Sequence, residues 1–194
     1  MGLELEKIRD EIIGLRPVYT DTGNATIIYL RDGEVMDSRG IRSVQTGLAR
    51  MYAIDLAAQR KQLKLRLNRY GVMPFYLSNE RIFVPLKMRK PIAPKDMVYG
   101  YIDVRYMGEV DKAGGRTCML PLKDGRRIEI LSNRNRVLQV QHMGQRLLEG
   151  LQDENPGDPG EKIVVDASLL LHNTMKSIAR RLERIEELIG EDEN

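Results

Sequence analysis

Few residues in this chain have the types and spacing that catalysis or metal binding requires. There are two histidines, His142 and His172, far apart, and one cysteine, Cys118, which make no ligand set of familiar spacing. Both histidines fall in segments that read as helical and are taken as surface or packing residues. Glu109 and Asp111 are near each other but lie in a loop, without the apolar surroundings that would split their pKa values into an acid and a base. No GxxxxGK[ST] phosphate loop occurs, and Gly114-Gly115 has no helix start behind it, so it reads as a turn. The expectation is a protein that is not an enzyme, with no catalytic residues, no metal and no cofactor.

Positive charge is abundant, and it is concentrated. Residues 39–150 carry 22 Lys and Arg against 9 Asp and Glu, while 1–38 carry 4 against 8 and 151–194 carry 5 against 11. The net +3 therefore hides a strongly basic middle. Its densest part holds Arg60, Lys61, Lys64, Arg66, Arg69, Arg81, Lys87, Arg89, Lys90 and Lys95, with Glu80 the only acid between Lys64 and Lys95. Uncompensated charge of this density repels itself in the folded state, so an anionic partner explains it better than stability does. Nucleic acid is the first partner to consider. With no Trp, two Phe and eight Tyr, few aromatics are left to stack on unpaired bases, which favours double-stranded DNA over single strands. Arg126, Arg127, Arg134 and Arg136 rank second, since a hairpin tip and a helix start often carry solvated charge.

The elements that must position these cations follow from periodicity. From Gly40 to Arg60, the residues Ile41, Val44, Leu48, Tyr52 and Leu56 recur at three- and four-residue steps, which predicts an amphipathic helix. Arg42, Arg50, Arg60 and Lys61 form a ridge on its other side. Alone, that ridge is equally a solvated face; the cations that follow are what favour a partner. Leu63, Leu65 and Leu67 then alternate with Lys64, Arg66 and Asn68, so 62–68 reads as a strand with its charges outward.

Ahead of this helix, Leu5, Ile8 and Ile12 stripe a short first helix over 3–13, and Ala25–Leu30 and Glu34–Met36 form a hairpin around Asp32-Gly33. After it come strands Met73–Leu77 and Arg81–Pro85 around Ser78-Asn79-Glu80, with Pro74 and Pro85 expected at strand ends or on an edge. Leu86–Lys95 reads as an exposed loop and Met97–Met107 as a strand. Thr117–Leu122 and Arg127–Leu131 form a hairpin around Asp124-Gly125, and Asn133–Leu151 is helical. Together these predict an α+β domain over 1–152, an antiparallel sheet built from hairpins with flanking helices.

Beyond it, 153–165 reads as an acidic Pro/Gly linker. Over 166–190, Leu171, Met175, Ile178, Leu182, Ile185 and Ile189 step alternately by four and three, the seam of a C-terminal heptad helix. Asp166 or Ser168 suits its start and Gly190 its end. Such a helix either packs back onto the domain or self-associates. The linker and the narrow seam favour self-association, hence a homo-oligomer, which multiplies the basic surfaces in one particle.

A lone cysteine suits a reducing compartment. Glu4, Glu6, Asp10 and Glu11 exclude a secretory apolar region near the start, and Glu6 stands where a myristoylation signal has Ser or Thr. No apolar run approaches the roughly 20 residues of a spanning helix. The expectation is a cytoplasmic protein that does not engage membranes.

Between about Arg39 and Arg136 the chain resembles the competence transcription factor (ComK) family of spore-forming bacteria. The residues that carry this are Arg42–Lys61 ending in AAQRKQL, where the family has a Gly-Arg-Lys turn; MPFYLSNERIFVPL, with Pro74, Ser78, Asn79, Ile82, Phe83 and Pro85; MVYGYIDV with Gly100; and KDGRRIEILSNRNRV with Gly125, Glu129 and Asn133. Gln59 departs from the family's glycine, and the linker and heptad helix have no counterpart. The resemblance implies a DNA-binding transcriptional regulator that assembles as dimers and higher oligomers on paired AT-rich boxes. It would use minor-groove contacts, where narrow A-tracts attract Arg and Lys. An RNA-binding module, or a scaffold subunit meeting an acidic protein, is the alternative use of the same basic surface.

Overall fold

The computed structural model describes residues 5–94, 96–111 and 115–153. The chain divides into two units after Gln152, and the described residues lie in the first apart from Asp153. The expected linker and the heptad residues Leu171, Met175, Ile178, Leu182, Ile185 and Ile189 fall outside the described residues.

The fold is α+β, with an antiparallel sheet and flanking helices as expected. In chain order the elements are α1 (Leu5–Ile8), β1 (Ile12–Thr20), β2 (Gly23–Leu30), β3 (Glu34–Asp37), α2 (Ile41–Met51), α3 (Leu56–Leu67), β4 (Phe75–Ser78), β5 (Arg81–Lys87), β6 (Tyr99–Asp103), β7 (Cys118–Pro121), β8 (Arg127–Ile130) and α4 (Arg134–Asp153). A short 3₁₀ turn, Val104–Tyr106, follows β6. Six strands pair in the order β3-β2-β1-β6-β5-β4, and β7-β8 form a separate hairpin.

Side chains alternate across the sheet and so build two cores. On one face Ile28, Phe83 and Tyr101 meet Ile41, Val44 and Leu48 of α2. On the other, Ile82, Val84 and Ile102 meet Leu120 and Ile128 of the hairpin and Val137, Val140 and Leu147 of α4. Helix α4 comes close because Gly144 has no side chain: a Cβ there would lie 2.5 Å from Val84 Cγ1 and 3.0 Å from Val104 Cγ2. Within the sheet, Gly100 plays the corresponding part. A Cβ on it would lie 2.5 Å from the Leu15 carbonyl oxygen of neighbouring β1 and 2.3 Å from Met88 Sδ. The Met88 side chain can swing aside, but a paired strand's carbonyl cannot. Gly100→Ala is therefore expected to destabilise by about 1–3 kcal/mol, the usual range for overpacking, seen as a lower urea midpoint with an unchanged m-value.

The expected first helix over 3–13 shrinks to α1, and Ile12 instead opens β1. This strand, absent from the sequence reading, sits in the middle of the sheet between β2 and β6. Gly14 and Pro17 hide it, because both are depleted in strands. Pro85 lies inside β5 rather than at its end. The last β4 pairing is Phe75↔Phe83, so only β6 flanks the strand at Pro85. Lys87, two residues on and of the same orientation, turns its carbonyl away from β6 to accept the Leu131 amide at 2.7 Å. The amide that Pro85 lacks thus faces an empty edge. The expected loop over Leu86–Lys95 is also partly internal: Leu86, Met88 and Arg89 are buried, and among its described residues 90–94 are exposed.

The largest correction concerns 40–68. One helix over Gly40–Arg60 followed by a strand is in fact two helices. Helix α2 stops at Met51, Ala53 adopts a left-handed backbone (φ 54°), and Asp55 caps α3 by accepting the Ala57 and Ala58 amides at 2.8 and 3.1 Å. Asn68, also left-handed at φ 43°, ends α3. The alternating leucines are therefore helical: Leu63 and Leu67 face the second core, while Leu65 is 75% exposed. Leu56, at the other end, joins the first core. Helix α3 wraps around the β4 edge from one layer to the other, so its apolar residues form no single stripe.

Candidate nucleic-acid interface

Two buried polar devices position the helices that bear the cations. Gln59 (6% exposed) clamps α3 to the edge strand: its Nε2 donates to the Tyr76 carbonyl at 2.9 Å, and its Oε1 accepts the Tyr76 amide at 3.0 Å. One side chain thus does what a seventh strand would do. Ahead of α2, the buried Asp37 carboxylate accepts the Arg39 amide at 2.9 Å, and the Arg39 guanidinium forks onto both of its oxygens at 2.9 and 2.5 Å. Thr26 Oγ1 donates to the Arg39 carbonyl at 2.8 Å, which fixes the chain just before α2 begins.

Burial alone would raise the Asp37 carboxyl, but the bonds from Arg39 outweigh it and hold the group below the ordinary carboxylate range. A folded pKa below the unfolded one stabilises at pH above the unfolded value and is lost as pH falls. Stability is expected to drop as pH falls through about 4 and on to the lowered folded value. That part of the profile should flatten in Asp37→Asn, measured by urea unfolding at successive pH values.

With α2 and α3 so placed, an open groove of ≈ 910 Å³ runs between them and the β4–β6 side of the sheet. Arg42, Arg60, Lys61 and Lys64 line it, with Tyr99 and Tyr101 among the residues of its sheet side. Burial raises the Tyr101 phenol above its usual value; the Gln45 hydrogen bond and the fields of Arg60 and Arg42 work the other way. Among the described residues, no carboxylate pairs with any of the four cations. The one acid among the groove's described lining residues, Asp96, is already engaged. It accepts from the Tyr19 hydroxyl and from the Ile92 and Ala93 amides at 2.9 and 2.8 Å, which lower its pKa, Tyr19 most. A shallower depression of ≈ 380 Å³ continues along the outer face of α2 past Arg39 and Arg50.

The ten candidate cations separate into distinct environments. Arg60, Lys61 and Lys64 share the groove, joined by Arg42, which the sequence places on the ridge but outside the candidate set. Arg66 turns the other way: a Cβ on Gly150 of α4 would meet its Nη2 at 2.5 Å. Arg69 and Lys87 border a separate cavity together with Arg136. Lys90 is exposed, and Lys95 lies outside the described residues.

Arg81 and Arg89 are not surface cations, and this corrects the sequence reading. Arg81 is buried and donates to the Tyr52 hydroxyl at 2.6 Å, the Ile12 carbonyl at 2.7 Å and the Arg9 carbonyl at 3.2 Å. It knots α1 and the start of β1 to β5. Arg89, also buried, donates to the Val18 carbonyl at 2.9 Å and lies 3.8 Å over the Tyr19 ring. Of the second-ranked residues, Arg126 donates to the Gly33 carbonyl at 2.6 Å and tethers the β7–β8 hairpin to the β2–β3 turn. Arg127 pairs with Asp111, and Arg134 Nε donates to the Val110 carbonyl at 3.0 Å.

Among the described residues no cluster of His, Cys, Asp and Glu could hold a metal ion, and no helix is long and apolar enough to cross a membrane. No family model, curated protein or solved structure matches the chain.

Proposed function

We propose that the chain is a DNA-binding transcriptional regulator that holds the phosphate backbone of duplex DNA along the α2–α3 groove. The observation that carries this is the alignment of Arg42, Arg60, Lys61 and Lys64 on one open groove with no carboxylate, among the described residues, to neutralise them. Folding gains nothing from such an arrangement, whereas a polyanion displaces the counterions it holds and gains entropy. The resemblance to the competence transcription factor family points the same way. Its matching stretches include Arg42–Lys61, which supplies three of the four groove cations named above, and scaffold residues such as the close-packed Gly100, Gly125 at a positive φ of 91° and Asn133 at the start of α4. Assembly as a homo-oligomer through the 166–190 heptad helix belongs to this proposal, as does a preference for AT-rich minor grooves.

The test is binding to random duplexes across a salt series, with enrichment and footprinting of bound sequences and equal-length RNA as competitor. Affinity should fall linearly with salt on a log–log plot, with a slope reflecting several phosphates. Absence of duplex binding at low ionic strength overturns the proposal. Preferred retention of RNA would transfer the groove to the RNA-binding alternative.

A further inference from the structure

A second, smaller cavity lies where the ends of three elements meet. Its volume is ≈ 120 Å³, and Arg69, Lys87 and Arg136 border it together with Ser132 and Tyr99. Arg69 follows the left-handed Asn68 that closes α3. Lys87 ends β5, and its carbonyl takes the Leu131 amide, which brings the β8–α4 connection alongside. Arg136 sits in the first turn of α4, where Asn133 Oδ1 accepts its amide at 2.9 Å. Three distant stretches of sequence thus bring three cationic residues to the border of one small cavity.

Their partners are as informative as their positions. Among the described residues none of the three meets a carboxylate. The Arg69 guanidinium donates to the thioether of Met143 at 3.1 Å, a weak acceptor. Burial, and after it the charge of Arg136, presses the Arg69 pKa below its ordinary value, so the two guanidiniums repel across the cavity. Space for several water molecules is present, since one needs only about 10–15 Å³. A single tetrahedral oxyanion therefore fits. Arginine forks match such oxygens bidentately, and the N-terminus of a 20-residue helix adds a favourable field.

We propose that this cavity is a binding site for one phosphate group, held by Arg69, Lys87 and Arg136. The site differs from the α2–α3 groove but adjoins it, because Val72 and Tyr99 line both. The phosphate can come from two sources, a backbone phosphodiester of bound nucleic acid or a free phosphate. The proposal does not depend on the groove binding DNA.

The test follows thermal unfolding and calorimetric binding of the full chain with inorganic phosphate, against sodium chloride at matched ionic strength. Phosphate should raise the melting temperature saturably, with one equivalent bound per chain, and chloride should not. Arg136→Gln and Lys87→Gln should each weaken phosphate binding about tenfold or more, the loss expected for a charge-assisted hydrogen bond. Without phosphate, Arg136→Gln should melt no lower than the parent because repulsion is relieved; a purely structural arginine would give the opposite. Equal responses to phosphate and chloride, or undiminished phosphate binding in both variants, overturn the site. Saturating duplex DNA separates the sources: if it abolishes the phosphate response, the occupant is a backbone phosphate, and if the response persists, the occupant is free phosphate. A protein that ignores DNA yet binds phosphate would sink the proposed function and leave this site standing.

Discussion

Replacing Arg60, Lys61 and Lys64 together by alanine is expected to lower duplex affinity on the order of 10²-fold near physiological salt and to reduce the log–log salt slope by about three. All three lie on one helix and share the groove with Arg42, so the same stretch of backbone would meet them. Each lost phosphate contact removes about one released counterion, and the slope counts those directly. Folding should be spared, because Arg60 and Lys61 are exposed and the hydrogen bond from the Arg60 guanidinium to the Gly71 carbonyl is long at 3.4 Å. Equilibrium titration at four or more salt concentrations, with circular dichroism to verify folding, reads both quantities. Arg81→Ala provides the contrast. It should leave three acceptors without their donor and cost stability, without changing the slope. An unchanged slope in the triple variant would remove the groove from consideration.

Gln59→Leu is expected to destabilise the domain by about 2–4 kcal/mol, since each abandoned buried polar group costs about 1–3 kcal/mol. Leucine has similar bulk, so the loss comes from the Tyr76 amide and carbonyl, which would turn to a side chain that can neither accept nor donate. The consequence reaches the groove. With α3 no longer clamped to β4, Arg60, Lys61 and Lys64 lose their fixed relation to Arg42, and DNA affinity should fall although no cation has been removed. Gln59→Glu distinguishes the two halves of the clamp, because a carboxylate still accepts the Tyr76 amide but donates nothing to its carbonyl. It should fall between the parent and Gln59→Leu in urea unfolding. Gln59 is also where the chain departs from the glycine of the family it resembles, and glycine could form neither bond.

Much of the domain was legible as sequence. The β2–β3, β4–β5 and β7–β8 hairpins each announce themselves by a polar turn between apolar runs, and α4 by its period, because each of these signals lies among residues adjacent in the chain. The net charge of the middle segment was equally plain, since charge does not depend on the fold.

Tertiary structure alone decided which cations are available. A buried arginine and an exposed one look alike in sequence; Arg81 and Arg89 are internal because backbone carbonyls of β1 and its neighbours wait for them, and those carbonyls are brought near only by strand pairing. Central strand β1 was hidden by Gly14 and Pro17, whose local cost is outweighed by the neighbours on either side. Helix α3 was disguised because it rounds a sheet edge and buries parts of two faces in two cores, which destroys the single stripe that periodicity detects. The meeting of Arg69, Lys87 and Arg136 rests on the packing of α3, β5 and α4. Local chemistry and composition are carried by neighbours in the chain, but proximity between distant residues is set by packing.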